Sequence, residues 1–109
     1  MFDMDNSFGE FLKKLIKEKG MTQIEFYTAW GIKKPYFYDI VSGRTSPPPY
    51  PLQFKAMEIL DAEEETKEKF FDLAAKWRQE LPADIAKVVS DNPKVLDSIR
   101  SNLKKYATT

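Results

Sequence analysis

The chain has neither cysteine nor histidine among its 109 residues. No disulfide can form, and the commonest zinc ligands are missing. Ser-His-Asp and Cys-His nucleophilic arrangements are excluded for the same reason. A surplus of one charge is lacking too, because 17 Lys and Arg balance 17 Asp and Glu. That balance excludes a strongly basic, charge-driven binder and an acidic solvating tail. No apolar run approaches the roughly 20 residues that a membrane span requires. The opening Met1-Phe2-Asp3-Met4-Asp5 is acidic where a secretory leader is basic. These absences predict a cytoplasmic, soluble protein with no cofactor, no metal and no membrane association.

What is present is apolar and helical. Hydrophobic residues make up 42% and aromatics 14% of the chain, enough for one core in a domain that buries roughly two-thirds of its unfolded surface. No alternating strand pattern competes with the 3.6-residue period, so the predicted class is all-α. The first helix is expected over 8–19, with Phe8, Leu12 and Leu15 as its stripe and Phe11 and Ile16 beside it. Ser7-x-x-Glu10 reads as its capping box, and Gly20 as its left-handed stop. Thr22-x-x-Glu25 repeats the capping pattern and opens a short helix over 23–30, ended by Gly31. A third helix is expected over 34–41, with Pro35 in its first turn and Phe37, Ile40 and Val41 on its apolar face. Gly43 ends it.

The stretch from Ser46 to Pro51 holds four prolines. It superficially resembles a polyproline ligand, but its place between two helices makes it a rigid connector. A fourth helix follows over 52–60 (Leu52, Ala56, Ile59 and Leu60 apolar), then a fifth over 63–79. The run Glu63-Glu64-Glu65 suits the positive end of the fifth helix, whose stripe is Phe70, Leu73, Ala74 and Trp77. A sixth helix opened by Pro82 is expected to turn Leu81, Ile85, Val88 and Val89 inward. Asn92-Pro93 starts a seventh, with Val95, Leu96, Ile99, Leu103 and Tyr106 on one side.

Two short helices joined by a glycine turn satisfy a specific spacing test. Counted from Gln23, Gly31 is ninth, Phe37 fifteenth and Ile40 eighteenth, where a helix-turn-helix requires glycine, apolar and apolar residues. The anchors Phe8-Gly9-Glu10, Gly20-Met21-Thr22-Gln23, Gly31-Ile32, Tyr36-Phe37, Ile40, Gly43-Arg44 and Pro47 together resemble the lambda-repressor-like (Xre-type) helix-turn-helix family. The resemblance covers residues 8–60. A weaker one, through Leu73-Ala74-Ala75 and Leu81-Pro82-Ala83-Asp84-Ile85, links the tail to extensions of some phage-related members.

The resemblance implies a five-helix DNA-binding region over 1–62 and a helical extension over 63–109. It implies double-stranded DNA as partner and a homodimer acting on a palindromic operator. Gln23 then begins the second helix, reaching a phosphate and bracing the reading helix. Lys33, Lys34, Pro35 and Tyr36 fall at the start of the recognition helix, with Tyr38 and Asp39 one turn on. Ser42 and Arg44 occupy places where the family puts a phosphate-binding asparagine and a basic residue. From groove chemistry, Lys34 can donate to guanine, Pro35 can touch a thymine methyl, and Asp39 can accept from cytosine. Lys33, Tyr38, Ser42 and Arg44 suit phosphates, which fix register without reading sequence.

Two positions depart from the family pattern. Tyr27 replaces the usual alanine where the two helices touch, so either the interhelical angle opens or the ring slides along the seam. Lys33 replaces a small N-cap and cannot accept an amide hydrogen. Between residues 20 and 46 only Lys33, Lys34 and Arg44 stand against Glu25 and Asp39. Such weak charge leaves a second function class open: a protein-interaction module, for example an antitoxin-like partner of a toxin or of another regulator, working through the C-terminal helices. Those helices either pack back on the body or carry the dimer contact. No enzyme is expected, because neither a paired catalytic constellation nor a phosphate-cradling glycine loop is visible.

Overall fold

The computed structural model describes residues 6–106, with the backbone alone at Tyr106. The acidic Met1–Asp5 stretch and the Tyr106 ring lie outside the described residues. Helices follow one another as α1 (Ser7–Lys19), α2 (Gln23–Trp30), α3 (Lys34–Ser42), α4 (Tyr50–Leu60), α5 (Glu64–Arg78), α6 (Ala83–Asp91), α7 (Pro93–Ser101) and α8 (Leu103–Tyr106). No strand occurs among the described residues, so the chain is all-α.

Glycine ends the first three helices as expected. Gly20, Gly31 and Gly43 all sit in the left-handed region, where only glycine avoids a Cβ penalty. The Thr22 capping box is also formed, with both reciprocal bonds at 3.0 and 2.8 Å. The one at Ser7 is not. Asn6 takes the N-cap place and its Nδ2 donates to Glu10 Oε2 at 3.1 Å, so the acid is engaged one residue earlier than the pattern implied. Helix α4 starts two residues before its expected position. Pro51 stands in its first turn, where a missing amide hydrogen costs nothing.

One cluster joins the first five helices. Phe8, Leu12 and Ile16 form the buried line of α1, and Leu15 is only half-buried. They meet Phe26 and Trp30 of α2, Phe37, Ile40 and Val41 of α3, Ala56, Met57 and Leu60 of α4, and Phe70, Phe71 and Ala74 of α5. The rings of Phe8 and Phe70 lie 4.8 Å apart, so α5 belongs to the same core as α1. The indole Nε1 of Trp30 donates to the Leu52 carbonyl at 2.8 Å, tying α2 to the start of α4. Pro47 and Pro48 are buried, and their carbonyls accept from Arg78 Nη1 at 2.9 Å and from Gln53 Nε2 at 2.8 Å. The proline segment is thus a braced connector.

Gly9 sets the approach of α3 to α1. A Cβ at this position would stand 2.3 Å from the Val41 carbonyl oxygen and 2.7 Å from its carbon. The absence of a side chain there lets the last turn of α3 lie directly on the first turn of α1.

The last three helices correct the sequence reading. Leu81, Ile85 and Val88 are 52, 48 and 53% exposed instead of inward, and Val89 is half-buried. Within α6 only Ala83 is buried, and α7 has no buried residue. The seventh helix also breaks at Asn102, whose Nδ2 donates back to the Ser98 carbonyl at 2.9 Å. Side-chain competition of that kind for a helix carbonyl favours an end over continuation.

Candidate nucleic-acid interface

Helix α3 presents one face to the core and one to solvent. Phe37, Ile40 and Val41 are buried. At 100° per residue the opposite side is then centred on Pro35, Asp39 and Ser42, with Lys34 and Tyr38 along one edge. Tyr36 falls about 200° from Lys34 and lies along the other edge. Lys33, Lys34, Pro35, Tyr36 and Ser42 are exposed, and Tyr38 and Asp39 are half-buried. The tail does not cover the leading end of α3.

That leading end is uncapped by any side chain: Lys33 is the N-cap, extended at φ −90° and ψ 156°. The Lys34 and Tyr36 amides therefore remain for an anion, Pro35 having none and Phe37 donating to the Lys33 carbonyl, and the helix dipole points the same way. The Lys34 ammonium sits 5.9 Å from the centre of the Tyr38 ring, one turn on. Lys55 of α4 also reaches the Gly31 turn, since a Cβ placed on that glycine would stand 3.4 Å from its Nζ. Lys33 and Lys34 thus open α3, and Lys55 approaches the Gly31 turn two residues before Lys33.

The trailing end is built differently. Gln23, Tyr38, Ser42 and Arg44 line one shallow depression of about 350 Å³ together with Val41 and Lys13 of α1. Gln23 comes to this place because the Thr22 cap starts α2 directly beside α1. Arg44 Nε is also 3.2 Å from Asp39 Oδ1. Ser42 Oγ donates to the Asp39 carbonyl at 3.3 Å, and the Arg44 amide donates to the same oxygen at 2.9 Å. Lys13 Nζ is 3.1 Å from Glu10 Oε2. A neighbouring depression shares Lys13 and Gln23 and adds Lys14 and Lys17.

The nine residues singled out from the sequence therefore divide into two groups on one element and its flanks. Lys33, Lys34, Pro35 and Tyr36 mark the exposed start of α3. Gln23, Tyr38, Ser42 and Arg44 line one depression at its end, and Asp39 is bonded there by Ser42 and Arg44. Sequence reasoning missed Lys13 and Lys55. Lys13 and Lys17 share one face of α1 at i and i+4, which is also the pattern of any solvated helix face. Lys55 carries no local signal at all.

Tyr27 lies along the seam between α2 and α3. Its ring is half-buried, 5.3 Å from that of Phe37 and 6.5 Å from that of Tyr38.

Chemically, the surface offers donors and cations at both ends of a helix with one exposed face, and a mixed apolar and acidic middle. Among the described residues no group of potential ligands is arranged to hold a metal ion, and no helix is long and apolar enough to cross a membrane. Comparison of the chain with protein-family models, with curated proteins and with solved structures finds no match.

Proposed function

We propose that the chain is a sequence-specific transcriptional regulator that binds double-stranded DNA, of the phage-repressor or autoregulator kind, on a lambda-repressor-like five-helix domain. Helix α3 enters the major groove with its leading end. Lys34 and Pro35 meet base edges, and Asp39 accepts from cytosine. Phosphates on either side are met by Lys33 and Lys55 in front and by Lys13, Gln23, Ser42 and Arg44 behind. One observation carries the reading. The outer face of α3 is open, and cations from α1, α4 and the segments flanking α3 bracket its two ends. A recognition helix lies between two phosphate strands and needs that distribution of charge.

The test is selection of bound duplexes from a random pool, followed by a salt titration on the selected sequence. A specific site whose affinity falls steeply with salt is expected. Absence of binding even at low salt overturns the reading.

A protein-interaction module is the second reading, and one observation favours it. At the trailing end Arg44 and Lys13 already have carboxylate partners, Asp39 and Glu10. Under this reading the ion pairs are the resting surface, and an antitoxin-like contact with a toxin or another regulator is made elsewhere. Capture of a protein partner by the full chain with no DNA affinity at low salt would favour it.

A further inference from the structure

We infer that the segment from α6 to α8 is a self-association arm. The α7–α8 end of one copy seats on α6 and on the acidic depression at its root in a second copy, and the exchange is reciprocal. This inference gives a place to the homodimer that the family resemblance implies, on grounds and by a test that do not involve DNA.

The first ground is shape. The Cα radius of gyration is 15.8 Å, against about 13 Å for a compact chain of this length. Helix α7 packs on α6 and α8, with no buried residue of its own. Nine residues are too few for a helix to hold itself in water, so its apolar side needs a partner.

The second ground is area. Leu81, Ile85, Val88, Leu96, Ile99 and Leu103 are each 40–53% exposed. Together they show about 500 Å² of apolar surface, at the upper end of what a lone monomer carries. Two copies covering that surface bury about 1,000 Å², which reaches the threshold of a specific interface before any polar rim is counted.

Charge selects the occupant. The depression at the root of the arm measures about 480 Å³ and has Phe54, Met57 and Phe71 in its lining. Glu58, Asp61, Glu64 and Asp84 surround it, with Lys67 as the one cation, an excess of three negative charges. Between Pro93 and Tyr106 the chain carries Lys94, Arg100, Lys104 and Lys105 against Asp97, an excess of three positive charges. A second copy thus brings an apolar, basic helix to an apolar, acidic seat, and two-fold symmetry uses both pairs at once.

The experiment is sedimentation and light scattering of the full chain between about 1 and 300 µM, with circular dichroism to confirm folding. A dimer is expected, with a Tm that rises with concentration. Ile99→Asp, at an exposed position, should weaken it at least tenfold with the helical spectrum unchanged. Val88→Ser provides the same test with a neutral side chain. Arg100→Glu and Glu64→Lys should each weaken the dimer alone and form a restored heterodimer when mixed, because one seat then has both charges reversed. A wild-type chain that stays monomeric overturns the proposal, whether or not it binds anionic lipid vesicles through the arm. A dimer indifferent to Ile99→Asp and Val88→Ser overturns it too. Sensitivity to those two without any response to the charge reversals overturns the reciprocal seating.

Discussion

Arg44 and Asp39 close a small ring behind the last turn of α3: Nε stands 3.2 Å from Oδ1, and the Arg44 amide donates to the Asp39 carbonyl at 2.9 Å. The side chains are 67 and 47% exposed, and an ion pair so open to water contributes at most about 1 kcal/mol. A phosphate can therefore take the guanidinium from the carboxylate. Asp39→Asn is expected to tighten binding to a scrambled duplex by about two- to fivefold, since it removes both the competitor and a like charge facing the phosphate. Fluorescence anisotropy at fixed low salt reads the change. Weaker binding by the variant would contradict phosphate contact at Arg44.

The two ends of α3 should respond differently. Lys34→Ala is expected to weaken cognate binding by about 1–3 kcal/mol and to relax one base position. Arg44→Ala should instead lower affinity about equally on all sequences and reduce the salt slope by about one. Titrations on cognate and scrambled duplexes separate these outcomes. Equal loss on both duplexes for both variants would count against α3 as the reading element.

Gly9→Ala tests how α3 is held. The added methyl would meet Val41 backbone atoms at 2.3 and 2.7 Å and Asn6 Oδ1 at 2.8 Å. Backbone cannot swing aside as a flexible side chain can, so about 1–3 kcal/mol of overpacking strain is expected. Chemical denaturation measures it directly. An unchanged denaturation midpoint would mean that α1 and α3 do not approach this closely in solution.

Arg78 and Glu80 supply a pH-dependent contact at the end of α5. The guanidinium donates to both carboxylate oxygens, at 2.8 and 3.2 Å, and also to the Pro47 carbonyl at 2.9 Å. The hydrogen bond from Arg78 holds the Glu80 carboxyl below its ordinary value of 4.5, and the same bond raises Arg78. A carboxyl depressed in the folded state adds stability above its unfolded pKa, and loses it as pH falls through the folded one. The arginine loses its charge only in strong alkali. The Tm gap between wild type and Glu80→Gln should therefore favour wild type at neutral pH and shrink progressively as pH falls below the ordinary 4.5. A gap independent of pH would rule out this linkage.

The helical class and most helix ends were legible in the sequence because their causes are local. A glycine at a left-handed position, a threonine followed three residues later by glutamate, and a proline in a first turn act within one or two turns of chain. The Ser7 cap failed on an equally local competition, since Asn6 reached Glu10 first. The start and end of α3 were legible as positions on a helix. Their meeting with Lys13 and Lys55 was not, because those lysines arrive from 10 residues before Gln23 and from 11 after Arg44.

Alone, the sequence determined which segments are helical, where the glycine-ended helices stop, and which side of α1 to α5 is apolar. Tertiary structure decided which apolar sides are covered. Leu81, Ile85 and Val88 have the same 3.6-residue signature as Phe8, Leu12 and Ile16, yet the first set faces solvent and the second is buried. Periodicity records that a face prefers to leave water. What the face packs against depends on the path of the whole chain, and here the core takes in only Ala83 at the start of α6 and leaves the rest of that helix outside.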